Sequence, residues 1–165
     1  NLISKNTERD ADETHFADCM MGGEILRSVD LGPKVYDFGA GNGFPGLVLA
    51  IMDPGRIYEL VESDSRKCEF MKHVASTLQI KNVILNNSRL ESLKAEPLTV
   101  AVCRGFASIS KTLIACNRMF EKEGRIYHFK GSNWSSEVAE LPSQLISSWK
   151  PELLGEYSLP ASQVR

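Results

Sequence analysis

No apolar run in this 165-residue chain approaches the roughly 20 residues that cross a bilayer, which argues against a membrane role. No basic stretch followed by an apolar one stands at the start, so no targeting segment is read there. The four cysteines, Cys19, Cys68, Cys103 and Cys116, show neither paired spacing nor a disulfide framework, and are expected to be reduced thiols of a cytoplasmic protein. His15, His73 and His128 are scattered, without ligand spacing, so neither a metal nor a catalytic histidine is predicted. Positive charge is not in excess either. The net charge of −2 argues against a surface coated in cations for indiscriminate nucleic-acid binding. Residues 1–33 hold three basic and seven acidic side chains, and the remainder sixteen and fourteen. A local basic face and a mixed solvated surface both stay open.

Repeats, low-complexity tracts and Gly/Ser linkers are absent as well, so one domain over residues 1–165 is expected, as a monomer. At 42% hydrophobic and 24% charged residues, the chain has an ordinary globular composition and enough length to bury a core. Its punctuation predicts alternating strands and helices. Residues 34–38 read as a strand ending at a glycine cluster, 44–52 as a helix stopped by Asp53-Pro54-Gly55, and 56–62 as a second strand. A helix is expected over 64–79, where Phe70, Met71, Val74, Ala75 and Leu78 recur at helical spacing, then a strand at 82–85. The nearly continuous apolar run 98–103 predicts a central strand buried on both faces. A helix over 108–120, a strand over 124–130, a weaker helix over 135–148 interrupted by Pro142, and one more strand at 152–159 complete the pattern. This is an α/β fold, a parallel sheet with right-handed crossovers and helices on both faces. The segment 1–33 is expected to pack on the sheet, with 15–27 helical and 2–10 extended.

Chemistry concentrates where the first strand becomes a helix, in Asp37-Phe38-Gly39-Ala40-Gly41-Asn42-Gly43-Phe44-Pro45-Gly46. Glycines there turn the chain sharply and let backbone approach a ligand. Gly41, Gly43 and Gly46 also satisfy the dinucleotide fingerprint, so a nicotinamide cofactor is one reading. Asp37 tilts it toward S-adenosyl-L-methionine, because a carboxylate beside the loop suits a cationic sulfonium and repels a pyrophosphate. Glu91, placed to accept from an adenine amino group, points the same way. Glu62 closes the second strand, 23 residues after Gly39, and can accept from both ribose hydroxyls under either reading. Each acid also has a plain structural role to play: Asp37 as a brace of the loop, Glu62 as a helix N-terminal acid, Glu91 as a surface acid in a turn.

Together with these residues, the chain carries Asn1-Leu2-Ile3-Ser4, His15-Phe16-Ala17-Asp18-Cys19, Ser88-Arg89-Leu90-Glu91, Cys103-Arg104-Gly105-Phe106-Ala107-Ser108 and Phe129-Lys130-Gly131. With them it resembles, over nearly its whole length, the bacterial small-subunit ribosomal RNA guanine-N7 methyltransferases, the GidB or RsmG family. The resemblance implies a Rossmann-like class I S-adenosylmethionine-dependent methyltransferase sheet. It implies that S-adenosyl-L-methionine is the cofactor and that 16S ribosomal RNA or the 30S particle is the substrate. It places Gly39 and Phe44 along the cofactor pocket, Leu90 and Glu91 at the adenine, Glu62 at the ribose, and Arg104 at the site from the end of its strand. Glu62 stands where members more often have Asp, Gly105 where alanine is usual, and Cys103 and Cys19 where serine is. None of these changes removes a charge. Both ends read as shortened relative to the family.

Methyl transfer from a sulfonium is an in-line displacement, so positioning is the main task. Guanine N7 offers an unprotonated lone pair and needs no base, which fits the lack of an obvious one. Asn/Asp-Pro-Pro-aromatic and Pro-Cys signatures of other base methyltransferases are also missing. Arg104 is the candidate catalytic residue, to bond O6 or a phosphate or to orient the cofactor. Lys130, Lys111 and Arg9, with Lys5, are candidates for RNA phosphates. Phe44 is a candidate stacking ring, and Phe106 reads more simply as core. Two other functions stay open: a non-catalytic RNA-binding module that holds adenosylmethionine, and an NAD-dependent oxidoreductase.

Overall fold

Strands β1 (Lys34–Phe38) and β4 (Leu98–Arg104) are buried on both faces, which is why they read as apolar runs without alternation. Around them lie β2 (Ile57–Glu62), β3 (Val83–Asn87) and β5 (Phe120–Phe129), in the all-parallel order β3-β2-β1-β4-β5. The helices are α1 (Asp18–Leu26), α2 (Gly46–Met52), α3 (Ser65–Thr77), α4 (Ile109–Cys116), α5 (Trp134–Ala139) and α6 (Ser143–Ser148). A π turn over Asp12–Ala17 leads into α1, and a 3-10 turn over Leu90–Ser92 follows β3. This computed structural model describes residues 10–94 and 97–159.

Side chains alternate across the sheet and so build two cores. Val35, Leu60, Val100 and Val102 face Leu26 of α1, Leu47 and Leu49 of α2, and Met71 of α3. Tyr36, Phe38, Val61, Ala101 and Cys103 face the other way, onto Leu90 and Cys116 of α4. Helices therefore cover both faces. Asp64 caps α3 by accepting the Arg66 N–H at 2.9 Å, and Ser108 caps α4 by accepting that of Lys111 at 3.4 Å. Within α1, Gly22 lies on the ring of Phe129, where any side chain would take the ring's space, so this glycine sets how closely α1 approaches β5.

Three expectations are corrected. The helix expected over 108–120 stops at Cys116, because Leu98 N–H draws the Met119 carbonyl into the sheet at 2.7 Å and β5 begins at Phe120. The helix expected over 135–148 is two helices, since Pro142 has no N–H with which to continue the first. Residues 152–159 form no strand. They run exposed toward α1, where the Tyr157 hydroxyl donates to Asp18 Oδ1 at 2.8 Å.

Sheet order reverses between β1 and β4, and at such a point the loops leaving the two strands diverge to open a crevice at their carboxyl ends. Every candidate residue of the glycine loop, of the end of β2 and of the end of β4 lies on that side.

Candidate cofactor and substrate site

The loop after β1 is bound to the end of β2. Gly39 and Ala40 N–H both donate to the Val61 carbonyl, at 2.9 and 3.1 Å. Gly39 adopts φ +69°, and a Cβ there would overlap the ring of Phe106, so the position requires glycine on both counts. Glu62 completes the clamp: its Oε2 accepts the Gly41 N–H at 2.9 Å and its Oε1 the Asp64 N–H at 2.8 Å. Oε1 also accepts from the Ser63 hydroxyl at 3.4 Å, while Oε2 keeps a second lone pair, so the side chain can hold the loop and still accept from a ligand.

Gly39, Gly41, Phe44, Glu62, Leu90, Glu91 and Arg104 border one cavity of about 870 Å³. Asn42 Oδ1 and Ser88 Oγ are buried with no hydrogen-bond partner among the described residues, and both residues line the same cavity. Buried polar atoms of this kind are ordinarily satisfied, so they fit a polar ligand. With the loop backbone at Gly39, Ala40 and Gly41 bordering the cavity and an acid at the end of β2, the residues present fit an adenosyl cofactor.

Other predicted residues lie elsewhere. Asp37 is fully buried beneath the loop and does not border the cavity. Its Oδ2 accepts the Gly46 N–H at 2.8 Å, so it braces the turn into α2. Burial pushes its carboxyl up to about 7, against the opposing pull of the Gly46 N–H, and the charge of Glu62 adds to the rise. Gly43 likewise stands off the cavity, backed against Leu47. Lys130 is engaged within the fold: Nζ donates to the Ala107 carbonyl at 3.0 Å and to Glu137 Oε1 and Oε2 at 3.0 and 2.8 Å. Glu137 Oε2 also accepts the Ile109 N–H at 2.8 Å, and the Lys130 ammonium holds its carboxyl below the usual range. Lys111 is exposed in the first turn of α4, outside the cavity wall. Arg9, with Lys5 and the opening Asn1-Leu2-Ile3-Ser4, falls outside the described residues. Phe106, expected in the core, is 36% exposed and lines the cavity.

Sequence reasoning missed His15, Lys67 and Arg89 as cavity residues. Lys67 lies in the first turn of α3 and Arg89 just ahead of the 3-10 turn, both after the carboxyl ends of strands, so their place in the alternation was the available signal. His15 comes from the π turn and stacks on Phe44, with ring centroids 5.3 Å apart, while Phe16 meets Phe44 edge-on at 4.9 Å. Burial, and next the Arg104 guanidinium, hold His15 below its usual range, against Asp18. Arg104 is itself tied down. Its Nε donates to Asp18 Oδ2 at 2.5 Å, and its Nη2 lies 3.2 Å from His15 Nδ1 and donates to the Thr14 carbonyl.

Residues 1–155 match the family model of rRNA small subunit methyltransferase G, GidB. The chain belongs to this family. Ribosomal RNA small subunit methyltransferase G 3 of Bdellovibrio bacteriovorus is 42% identical over 166 residues, covering 100% of this chain and 75% of that protein. Ribosomal RNA small subunit methyltransferase G of Colwellia psychrerythraea is 31% identical over 94% of the chain and 76% of its own length. The chain spans 61% of the Saccharophagus degradans relative, at 33% identity over 79% of this chain. Among solved structures, an S-adenosyl-L-methionine-dependent methyltransferase of Thiobacillus denitrificans, in complex with S-adenosyl-L-homocysteine, superposes with a TM-score of 0.55. It is 20% identical and covers 78% of this chain and 49% of that one. A putative S-adenosyl-L-methionine-dependent methyltransferase of Methanococcus maripaludis gives 0.58 at 16% identity, covering 79% and 66%. The fold is thus that of class I methyltransferases, and membership of the GidB family sets aside the nicotinamide reading of the glycine loop.

Proposed function

We propose that the chain transfers a methyl group from S-adenosyl-L-methionine to N7 of a guanine in small-subunit (16S) ribosomal RNA. The observation that carries this is the glycine loop clamped to Glu62 at the edge of a cavity that Arg104 and Phe106 border from the opposite strand. That arrangement, in a GidB-family chain, seats a nucleoside cofactor on one side and leaves the other for a base.

In this reading Glu62 accepts from the ribose hydroxyls, Leu90 lies against the adenine and Glu91 accepts from its amino group. Gly39 and Gly41 bring backbone against the cofactor, and Phe44 closes the pocket beside them. When bound, S-adenosyl-L-methionine supplies an electrophilic methyl carbon, and the C–S electron pair returns to sulfur as the N7 lone pair makes the new bond. No proton moves, so no base is needed. Positive charge develops on the guanine, and burial, with the Arg104 guanidinium next, disfavours a further positive charge on His15. Phe44 and Phe106 line the cavity and offer aromatic faces to an unstacked base, with the exposed Phe16 packed edge-on against Phe44. Lys111, Lys67 and Arg89 are the described cations placed to meet phosphates, with Arg9 a further candidate.

The substrate is ribosomal RNA or the small-subunit particle, and the protein acts as a cytoplasmic monomer. Four cysteines, all free and buried, support a reducing compartment. Calorimetry with S-adenosyl-L-homocysteine and with NAD tests the cofactor assignment. Binding of the first and none of the second is expected; the reverse would end the methyltransferase reading.

A further inference from the structure

Of the His15-x-x-Asp18 motif, His15 lines the cavity and Asp18 does not, yet both meet Arg104 directly. Asp18 Oδ2 accepts from Arg104 Nε at 2.5 Å, and both groups are about four-fifths buried. The other oxygen, Oδ1, accepts from the Tyr157 hydroxyl at 2.8 Å, and the Asp18 carbonyl lies 3.2 Å from the same hydroxyl. Burial, followed by the bond to Asp18, pushes the phenol well above its ordinary range, so it stays a donor. Arg104 Nη2 is engaged by Thr14 and His15. Of the three guanidinium nitrogens, Nη1 alone has no acceptor among the described residues, and Arg104 lines the cavity beside Phe106.

A freely turning arginine takes guanine through O6 and N7 together. In N7 transfer that pairing would occupy the nucleophile. A guanidinium fixed at Nε and Nη2 keeps only Nη1 for the base, which suits a single bond to O6 and leaves the N7 lone pair for the methyl carbon. Adenine carries an amino group in place of O6, so the same fixed donor faces a donor and rejects it.

Resting on the N7 assignment above, we propose that Asp18 and Tyr157 are positioning residues that lock Arg104 so that its Nη1 recognises O6 of the target guanine. They touch neither base nor cofactor. Their effect runs through one guanidinium edge, and it sets both the discrimination of guanine from adenine and the freedom of N7.

The test measures kcat/KM on small-subunit ribosomal RNA ligated to carry either guanine or 2-aminopurine at the modified position. 2-Aminopurine keeps N7 and the 2-amino group and lacks O6. For the unaltered protein a loss of about 10- to 150-fold on 2-aminopurine is expected, the range for one hydrogen bond to a charged group. Asp18→Ala and the milder Tyr157→Phe should lose activity on guanine, chiefly in kcat, while the guanine to 2-aminopurine ratio falls toward one. Affinity for S-adenosyl-L-homocysteine should stay within about threefold, which also reports that each variant folds. Arg104→Lys should match the lowered ratio of Asp18→Ala. N7 methylation by the unaltered protein with the full ratio retained in both Tyr157→Phe and a cofactor-binding Asp18→Ala would overturn this proposal alone. Absence of N7 methylation by the unaltered protein would overturn it together with the function it rests on.

Discussion

Glu62 Oε2 accepts the N–H of Gly41 at 2.9 Å, so one carboxylate at the end of β2 holds the loop that leaves β1. The cofactor ribose is assigned to this group, and loop shape and ligand affinity therefore depend on one side chain. Glu62→Gln replaces one of two carboxylate oxygens, each of which accepts a backbone N–H, with a donor. S-adenosyl-L-homocysteine affinity should fall about 10- to 100-fold, the scale of hydrogen bonds to charged groups. Calorimetry reads it, and unchanged affinity would remove Glu62 from the site.

Gly39 has neither room nor backbone latitude for a side chain. Its φ is +69°, and a Cβ would enter the Phe106 ring. Gly39→Val should abolish detectable cofactor binding and lower the melting temperature, because a β-branched residue is strained at positive φ. Normal binding by this variant would show the loop to be misplaced.

Much of the fold was legible in the residues themselves. Apolar periodicity between glycine and proline punctuation marks β1, α2, β2, α3 and β4 closely, because each is a local pattern. The end of α4 was hidden, since the tie from Leu98 to Met119 that starts β5 is tertiary. So was the fate of residues 152–159, decided by a hydroxyl that finds Asp18 139 positions away. The site divides likewise. Glycine spacing and the acid at the end of β2 are local signals, whereas the Asp18–Arg104 pair joins residues 86 apart and leaves no mark in sequence spacing. Lys130 looked like an RNA contact because it ends a strand; nothing near it in sequence foretold that Glu137 would sit at its ammonium.

Asp37 gives the fold a pH dependence of definite sign. Burial holds its carboxyl at about 7, while the unfolded chain titrates near 3.8. Between those values the folded protein keeps a proton that the unfolded chain has released. Its contribution is complete below the unfolded pKa and is lost as pH rises through about 7. The melting temperature of the unaltered protein should therefore fall relative to that of Asp37→Asn across this window and run parallel above it. A pH-independent difference, read by calorimetric or optical melting, would contradict the assignment.

Lys130 and Lys111 should separate structure from substrate binding. Lys130→Met leaves Glu137 without its cation, at a cost of about 1–3 kcal/mol in stability, and should leave the salt dependence of RNA affinity unchanged. Lys111→Ala should leave melting unchanged and lower the slope of log affinity against log salt by about one. The opposite pattern, with Lys130 carrying the slope, would return it to the RNA interface.

The most direct measurement incubates the protein with methyl-labelled S-adenosyl-L-methionine and small-subunit ribosomal RNA, free or in the particle, from cells lacking the modification. The labelled nucleotide is then mapped, and the methylated atom is identified by the chemical lability of 7-methylguanine. Label on N7 of a single guanine is the predicted result. Label on another atom, or no label from a protein that binds the cofactor, would contradict it.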